Sequence, residues 1–257
     1  RRFTVISYAR NQATPVNAYK DLIAITQRTV GYAKRALVLL NETKKRGCHL
    51  GRKARRLAER LLDQLTQTAR VVMQARRRVL LGEPVTSSEK LVSIFEPHTD
   101  IIVKDRRDTL YGHKVSLSAG RSGLVLDCVI ESGNPPDSAL AVPMASRQTQ
   151  IYGRPPRQVA MDGGFTSQQN LLDIKAMGVK DVLFTKARSI PLTDMVQSRW
   201  VDRQLRRFRA GVEGTISFLK RVFGLTRCNW HGLQSFHAYV WASVLSANLL
   251  VLARRLR

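Results

Sequence analysis

The sequence predicts a mixed α/β protein: a basic helical region over residues 1–84, followed over residues 85–257 by a mixed sheet flanked by helices. Three observations predict it. Apolar residues recur at helical spacing through the first third of the chain. Short strand-like runs separated by Gly, Ser and Asn turns come next. Beyond Asp137, helical and strand-like segments alternate, an order that builds a sheet with helices against it.

In the first region, Tyr19, Leu22, Ile23, Ile25, Thr26, Val30 and Ala33 make one apolar stripe. Ala54, Leu57, Leu61, Leu62, Leu65 and Val71 make a second, so two amphipathic helices are expected. The stretch Asn41 to Lys53, with Gly47 and Gly51, reads as their connection, which makes the pair an antiparallel hairpin. Arg52, Arg55, Arg56, Arg60, Arg70, Arg76, Arg77 and Arg78 crowd its polar side. Such a run is either a solvated face or a DNA-contacting one.

Gly82, Glu83 and Pro84 end that unit. Strands are expected at Leu91–Phe95, Asp100–Val103, Gly112–Leu117 and Leu124–Ile130, forming an antiparallel meander. Asp137 to Tyr152 reads as a helix capped by Asp137 or Ser138. A strand then ends at Asp162, followed by a helix from Ser167 to Met177, a strand at Asp181–Phe184 and a long basic helix from about Val201 to Arg221. Hairpins followed by alternating helix and strand match the order of a ribonuclease-H-like fold.

Composition narrows the partner. Hydrophobic residues make up 44% of the 257, enough for a packed core. Lysine and arginine number 43 against 19 acidic residues, a net charge of +24 whose self-repulsion calls for a polyanion. Phosphate backbones fit best, ahead of a ribosome-type structural role or a membrane surface. Cys48, Cys128 and Cys228 are far apart and show no metal-binding spacing, which argues for a reducing compartment. The apolar run from Phe236 to Ala253 is broken by His237, Ser243, Ser246 and Asn248 and reads as a buried helix more readily than a membrane span. A chain opening on Arg1 is expected to be a fragment.

Two acids could carry chemistry. Asp162 ends an apolar strand and precedes Gly163-Gly164-Phe165, where ligands and metals collect in α/β sheets; its alternative role is a helix cap, with Ser167 the better-placed rival. Glu213 shares a helix face with Arg209 and Lys220, while Phe208, Val212, Ile216 and Leu219 supply the core stripe. Its alternative role is an ordinary Arg–Glu pair, worth a few tenths of a kcal/mol. Carboxylates from separate elements can hold the divalent ions that phosphodiester cleavage needs.

With these residues in view, the chain resembles the DDE transposases of bacterial insertion sequences. One branch carries the signature Tyr-x₂-Arg-x₃-Glu-x₆-Lys, matched here by Arg209, Glu213 and Lys220, with Arg206 at the tyrosine position. The Asp162-Gly163-Gly164-Phe165 segment with Ser167 and Asn170 resembles the family's second-acid motif. Gly112-His113-Lys114-Val115, the Gly133–Ser138 turn and the Gly224–Leu233 tail add to the likeness, which runs from Leu91 to Leu252 and is nearest the ISNCY-type group.

The resemblance implies a Mg²⁺- or Mn²⁺-dependent enzyme that cleaves and transfers DNA strands at insertion-sequence ends. Its expected partners are double-stranded DNA at transposon ends and target, and a second copy of the chain in the active complex; no membrane partner is expected. Its expected location is the bacterial cytoplasm, associated with the nucleoid. Asp162 and Glu213 are the expected metal ligands. Arg209, Lys220, Arg203, Arg206, Arg207 and Lys114 are the expected DNA contacts, positioning phosphates without reading sequence. The first acid of such enzymes lies on an early strand. By analogy it precedes Arg1, with Asp100 the candidate within the chain. If it is absent, the alternative is a DNA-binding remnant unable to cut. Another ribonuclease-H-like nuclease is disfavoured by the Arg209/Glu213/Lys220 spacing. Trp230 and His231 could stack on a base, but they, with His98 and His113, read more readily as structural.

Overall fold

The structure is a computed structural model that describes residues 13–46, 51–104, 108–187 and 189–256. It divides into two compact units, Arg1–Ile101 and Ile102–Arg257, a boundary later in the chain than the Gly82–Pro84 punctuation.

The first unit contains two long helices, α1 (Ala13–Lys45) and α2 (Arg52–Ala75), packed on each other. Helix α1 runs well into the stretch expected as a connection; Gly47 and Cys48 lie outside the described residues. A π-helical turn, Arg76–Leu80, continues α2 and touches α1. The apolar stripe of α2 is not sealed: none of its residues is fully buried, and Leu57 and Leu62 are more than half exposed. Arg77 does not present a free charge, since it pairs with Glu83 at 3.1 Å and with Glu89 at 3.6 Å.

The strand expected at Leu91–Phe95 does not form. The backbone of Leu91 is satisfied instead by the side-chain amide of Gln74, which accepts from its N–H at 2.6 Å and donates to its carbonyl at 3.2 Å. An amide that mimics a neighbouring strand removes the need for one.

The strands that do form are short. β1 (Asp100–Lys104) pairs with β2 (Asp108–Gly112), β3 (Val115–Ala119) with β4 (Val125–Ile130) and β5 (Gln158–Met161) with β6 (Asp181–Phe184). The expected run Gly112–Leu117 is therefore divided between β2 and β3. The β3–β4 pair is antiparallel and the β5–β6 pair parallel, so both pairing senses occur. They belong to separate two-stranded ladders, not to one continuous mixed sheet, because no described strand bridges β3 and β5.

Helix α3 (Asp137–Tyr152) has the expected bounds, but its N-cap is Pro136, with no side-chain cap. Asp137 is occupied elsewhere: its carboxylate is ion-paired with Lys114. Helix α4 (Gln168–Ala176) is capped by Ser167, which accepts from the Asn170 N–H at 3.2 Å. A short helix α5 (Leu192–Met195) precedes α6 (Arg199–Val222), whose cap is Ser198, and α7 (Leu233–Arg255) closes the chain.

Two apolar cores result. One gathers β6, whose Val182, Leu183 and Phe184 are fully buried, with Ala141 and Ala145 of α3, Leu171 and Ile174 of α4, and Leu205 of α6. The other joins Val125 and Cys128 of β4 to Leu219 of α6 and to Val240, Val244 and Ala247 of α7. Helix α6 thus has a foot in each core, and this anchoring sets its pose over β5 and β6. Of its expected stripe, Leu219 is fully buried while Phe208, Val212 and Ile216 are half-buried.

Helix α7 is long and apolar enough to cross a membrane by length and composition. It packs on β4 and α6, and Asn248 bonds both the N–H and the carbonyl of Val125 at 2.8 Å. The expectation of a buried helix holds for one face only, because Trp241, Leu245 and Leu249 lie on a side that neither β4 nor α6 covers.

Candidate active site

Strand β5 runs parallel to β6 with Met161 opposite Phe184, so the next residues, Asp162 and Thr185, emerge side by side at the C-terminal edge. The Thr185 N–H continues the ladder to the Met161 carbonyl at 3.1 Å. Its hydroxyl donates to Asp162 Oδ1 at 3.1 Å, and the Gly163 N–H donates to the same oxygen at 2.7 Å. Asp162 therefore does cap something, the single 3₁₀ turn Gly163–Phe165, while Ser167 caps α4 as the better-placed rival.

The Gly163 N–H bond is the largest influence on the Asp162 carboxyl; partial burial opposes it, and the Thr185 hydroxyl with the charges of Arg209 and Lys186 adds to it, so that the group is held below the usual carboxylate range. The group is thus ionised at any physiological pH, as a ligand for a cation must be.

Arg209 and Glu213 arrive from α6. One terminal nitrogen of Arg209 pairs with Asp162 Oδ2 at 3.2 Å and the other with Glu213 Oε1 at 3.4 Å. Two acids 51 positions apart in sequence thus converge on one guanidinium. The guanidinium is the more sheltered partner: Arg209 is 14% exposed, against 51% for Asp162 and 71% for Glu213. The ordinary i,i+4 Arg–Glu pair weighed from the sequence is present, but it is half of a three-residue bridge.

The remaining expected residues divide into two groups. Lys220 is exposed on α6, as are Arg203 and Arg207. Arg206 is engaged: it pairs with Asp202 at 2.8 Å and donates to the Thr185 carbonyl at 3.0 Å. Lys114 is engaged too, with Asp137 and with the Pro135 carbonyl at 2.7 Å. Asp100 opens β1 and is assigned to the first compact unit, whereas Asp162 and Glu213 are assigned to the second.

Several residues of this edge were not singled out from sequence for it. Thr185 and Lys186 follow a strand with no motif of their own, and only the parallel register with β5 points to them. Asp137, a helix-cap candidate by sequence, instead brings its Oδ2 to 2.5 Å from where a Gly164 Cβ would stand. A Gly163 Cβ would likewise stand 2.7 Å from the Lys186 Cβ. The Gly-Gly doublet was the available signal, because two side chains are excluded there to admit close neighbours. Asn170 completes the support, donating to the carbonyls of Ser138 at 2.7 Å and Phe165 at 2.9 Å. Of the histidines and aromatics, His98 bonds Glu96 at 2.7 Å, His113 rests against Phe236, and Trp230 meets Tyr239 edge-on.

A strand-edge aspartate facing a helix-borne glutamate across a shared cation narrows the family, and comparison decides it. A family model described as "Transposase DDE domain" matches residues 104–249.

The chain belongs to the transposase DDE domain family.

The match covers more than half the chain and includes Asp162, Arg209, Glu213 and Lys220. No curated protein and no solved structure matches the chain significantly. Transposases act on DNA, and those of the DDE family generally use divalent metal ions. Among the described residues no three His, Cys, Asp or Glu side chains gather as a metal cluster. Two exposed carboxylates sharing one cationic group nevertheless fit part of such a ligand set, since Mg²⁺ is commonly held by one or two carboxylates plus water and substrate phosphate.

Proposed function

We propose that this chain is the catalytic portion of a bacterial insertion-sequence transposase of the Tyr-Arg-Glu-Lys branch, cleaving DNA at the element's ends and joining it to a target. The reading rests above all on the Asp162–Arg209–Glu213 bridge. A strand edge and a helix contribute one carboxylate each to the same cationic point, on a surface rich in arginine.

Asp162 and Glu213 would hold a Mg²⁺ or Mn²⁺ ion, which supplies Lewis-acid activation of the attacking hydroxyl and stabilises the leaving oxygen. Asp162 is kept ionised and oriented by Gly163 and Thr185. Glu213, largely exposed, is free to turn towards incoming DNA. Lys220, Arg203 and Arg207 offer unshielded charge for phosphate along α6, and the arginines of α2 extend the same chemistry in the first unit. Arg206 and Lys114, already bonded to protein groups, serve the reading better as supports of the strand edge than as first contacts. A ribonuclease-H-like arrangement, action as a homodimer at paired ends, and a nucleoid-associated cytoplasmic location extend the proposal. Asp100 is the proposed third acid within the chain.

A second reading, a DNA-binding remnant that no longer cuts, draws support from the lack, among the described residues, of any three His, Cys, Asp or Glu side chains placed to hold a metal ion together. One experiment separates the two. Nicking of a supercoiled insertion-sequence substrate in Mg²⁺ is measured for the wild type, Glu213→Gln and Asp162→Asn, with DNA affinity measured in parallel. The enzyme reading expects nicking by the wild type, loss of about two orders of magnitude or more in either variant, and near-normal DNA binding. A Glu213→Gln protein that nicks like the wild type removes Glu213 from the mechanism. A wild type that binds but never nicks favours the remnant.

A further inference from the structure

Arg209 lies on α6 between the two apolar anchors of that helix, Leu205 and Leu219, and Asp162 already has two hydrogen-bond donors. Yet its terminal nitrogens face both carboxylates at once, and the side chain is only 14% exposed. One positive charge against two negative ones leaves the trio with a net negative charge, whereas a divalent ion in place of the guanidinium would balance the two carboxylates fully. The guanidinium stays protonated at any accessible pH, so it can yield only by moving. Its best alternative partner is a phosphate, which it can grip in bidentate fashion with comparable geometry.

We infer that Arg209 is a built-in placeholder cation: without DNA it occupies the carboxylate pair, and a DNA phosphate draws it away and leaves Asp162 and Glu213 to the metal. This rests on the reading of those two acids as the metal-holding pair. It makes metal and DNA binding cooperative, and linkage requires the coupling to be reciprocal, so that DNA raises metal affinity by the factor by which metal raises DNA affinity. The chain would then load its metal fully only when DNA is present.

Lys186 supplies the control. It also acts electrostatically on Asp162, but it does not bridge the two acids. Placeholding and mere nearby positive charge therefore predict different results when each cation is removed.

The test is Mn²⁺ binding, read from loss of the free-ion paramagnetic resonance signal, on the whole chain with no DNA present. Arg209→Met is expected to bind Mn²⁺ roughly fivefold or more tightly than the wild type, with Lys186→Met changing far less. A short random-sequence duplex, corrected for the Mn²⁺ it binds alone, is expected to raise the affinity of the wild type by a similar factor and to leave Arg209→Met unmoved. Arg209→Lys keeps the charge but cannot span both acids, and falls between; it also serves if Arg209→Met loses its fold by circular dichroism. Equal or weaker Mn²⁺ binding by Arg209→Met, or an equal gain in Lys186→Met, overturns the inference. Asp162→Asn and Glu213→Gln tell the two failures apart. If they lose Mn²⁺ while Arg209→Met matches the wild type, the metal pair stands and the placeholder falls. If they bind Mn²⁺ normally, the pair itself is wrong and the inference falls with it.

Discussion

The guanidinium of Arg206 donates to the backbone carbonyl of Thr185, 3.0 Å away, at the C-terminal end of β6. Thr185 in turn directs its hydroxyl to Asp162. Where the branch signature has a tyrosine, this chain therefore has a cation that ties α6 to the strand carrying a support for the Asp162 carboxylate. The same helix brings in Arg209 and Glu213 within the next two turns, so the tie and the bridge share one rigid element. The positions of the two acids depend on how α6 lies over β5 and β6.

Thr185→Val is expected to raise the Asp162 carboxyl towards its ordinary value, because one of two donors to Oδ1 is lost while the Gly163 N–H remains. The sign follows from linkage. The native carboxyl sits below its unfolded value of about 3.9, so its stabilising effect is complete above that pH and is lost as pH falls through the depressed native value. The variant should lose the effect at a higher pH. Carboxyl ¹³C titration of Asp162 and the acid-unfolding midpoint both test this, and a titration curve coincident with the wild type's would count against the hydroxyl's role.

Gly164→Ala places a methyl group against Asp137, which must swing away and loosen its pairing with Lys114. The expected cost is about 1–3 kcal/mol, typical of overpacking a tight site. That corresponds to a fall in melting temperature of about 2–12 °C, at about 2–4 °C per kcal/mol for a domain of this size. Restoring space with the double variant Gly164→Ala, Asp137→Ser should recover part of the loss in calorimetry; a loss undiminished in the double variant would place the clash elsewhere.

Arg147→Met leaves Asp127 buried without its cationic partner. Asp127 is only 3% exposed and receives two bonds from Arg147, at 2.7 and 2.9 Å. Breaking such a pair costs on the order of 2–3 kcal/mol, placed below the fully buried range because Arg147 is itself 43% exposed. Urea denaturation measures the loss, and adding Asp127→Asn should return part of it. The neighbouring Cys128 thiol, pushed up to about 11 by burial and then by Asp127, is expected to stay unreactive towards thiol reagents at neutral pH until the domain unfolds.

Local sequence alone determined the elements whose signal lies within a few residues. The span Asp137–Tyr152, the Ser167 cap and the long α6 helix were legible because apolar periodicity and capping side chains act over a single turn or two. The Arg209–Glu213 contact was legible as well, since the spacing of Arg209, Glu213 and Lys220 puts them on one helix face whatever that face meets. The tertiary structure decided what the acids meet. That Asp162 lies across one guanidinium from Glu213 depends on two apolar anchors, Leu205 and Leu219, sinking into different cores and so fixing the pose of α6. Thr185, Lys186 and Asp137 join the edge through a parallel register and a turn without side chains. Leu91 lost its expected strand to a single amide from Gln74, distant in sequence. Contacts of that kind depend on long-range packing, and no short window of residues contains them.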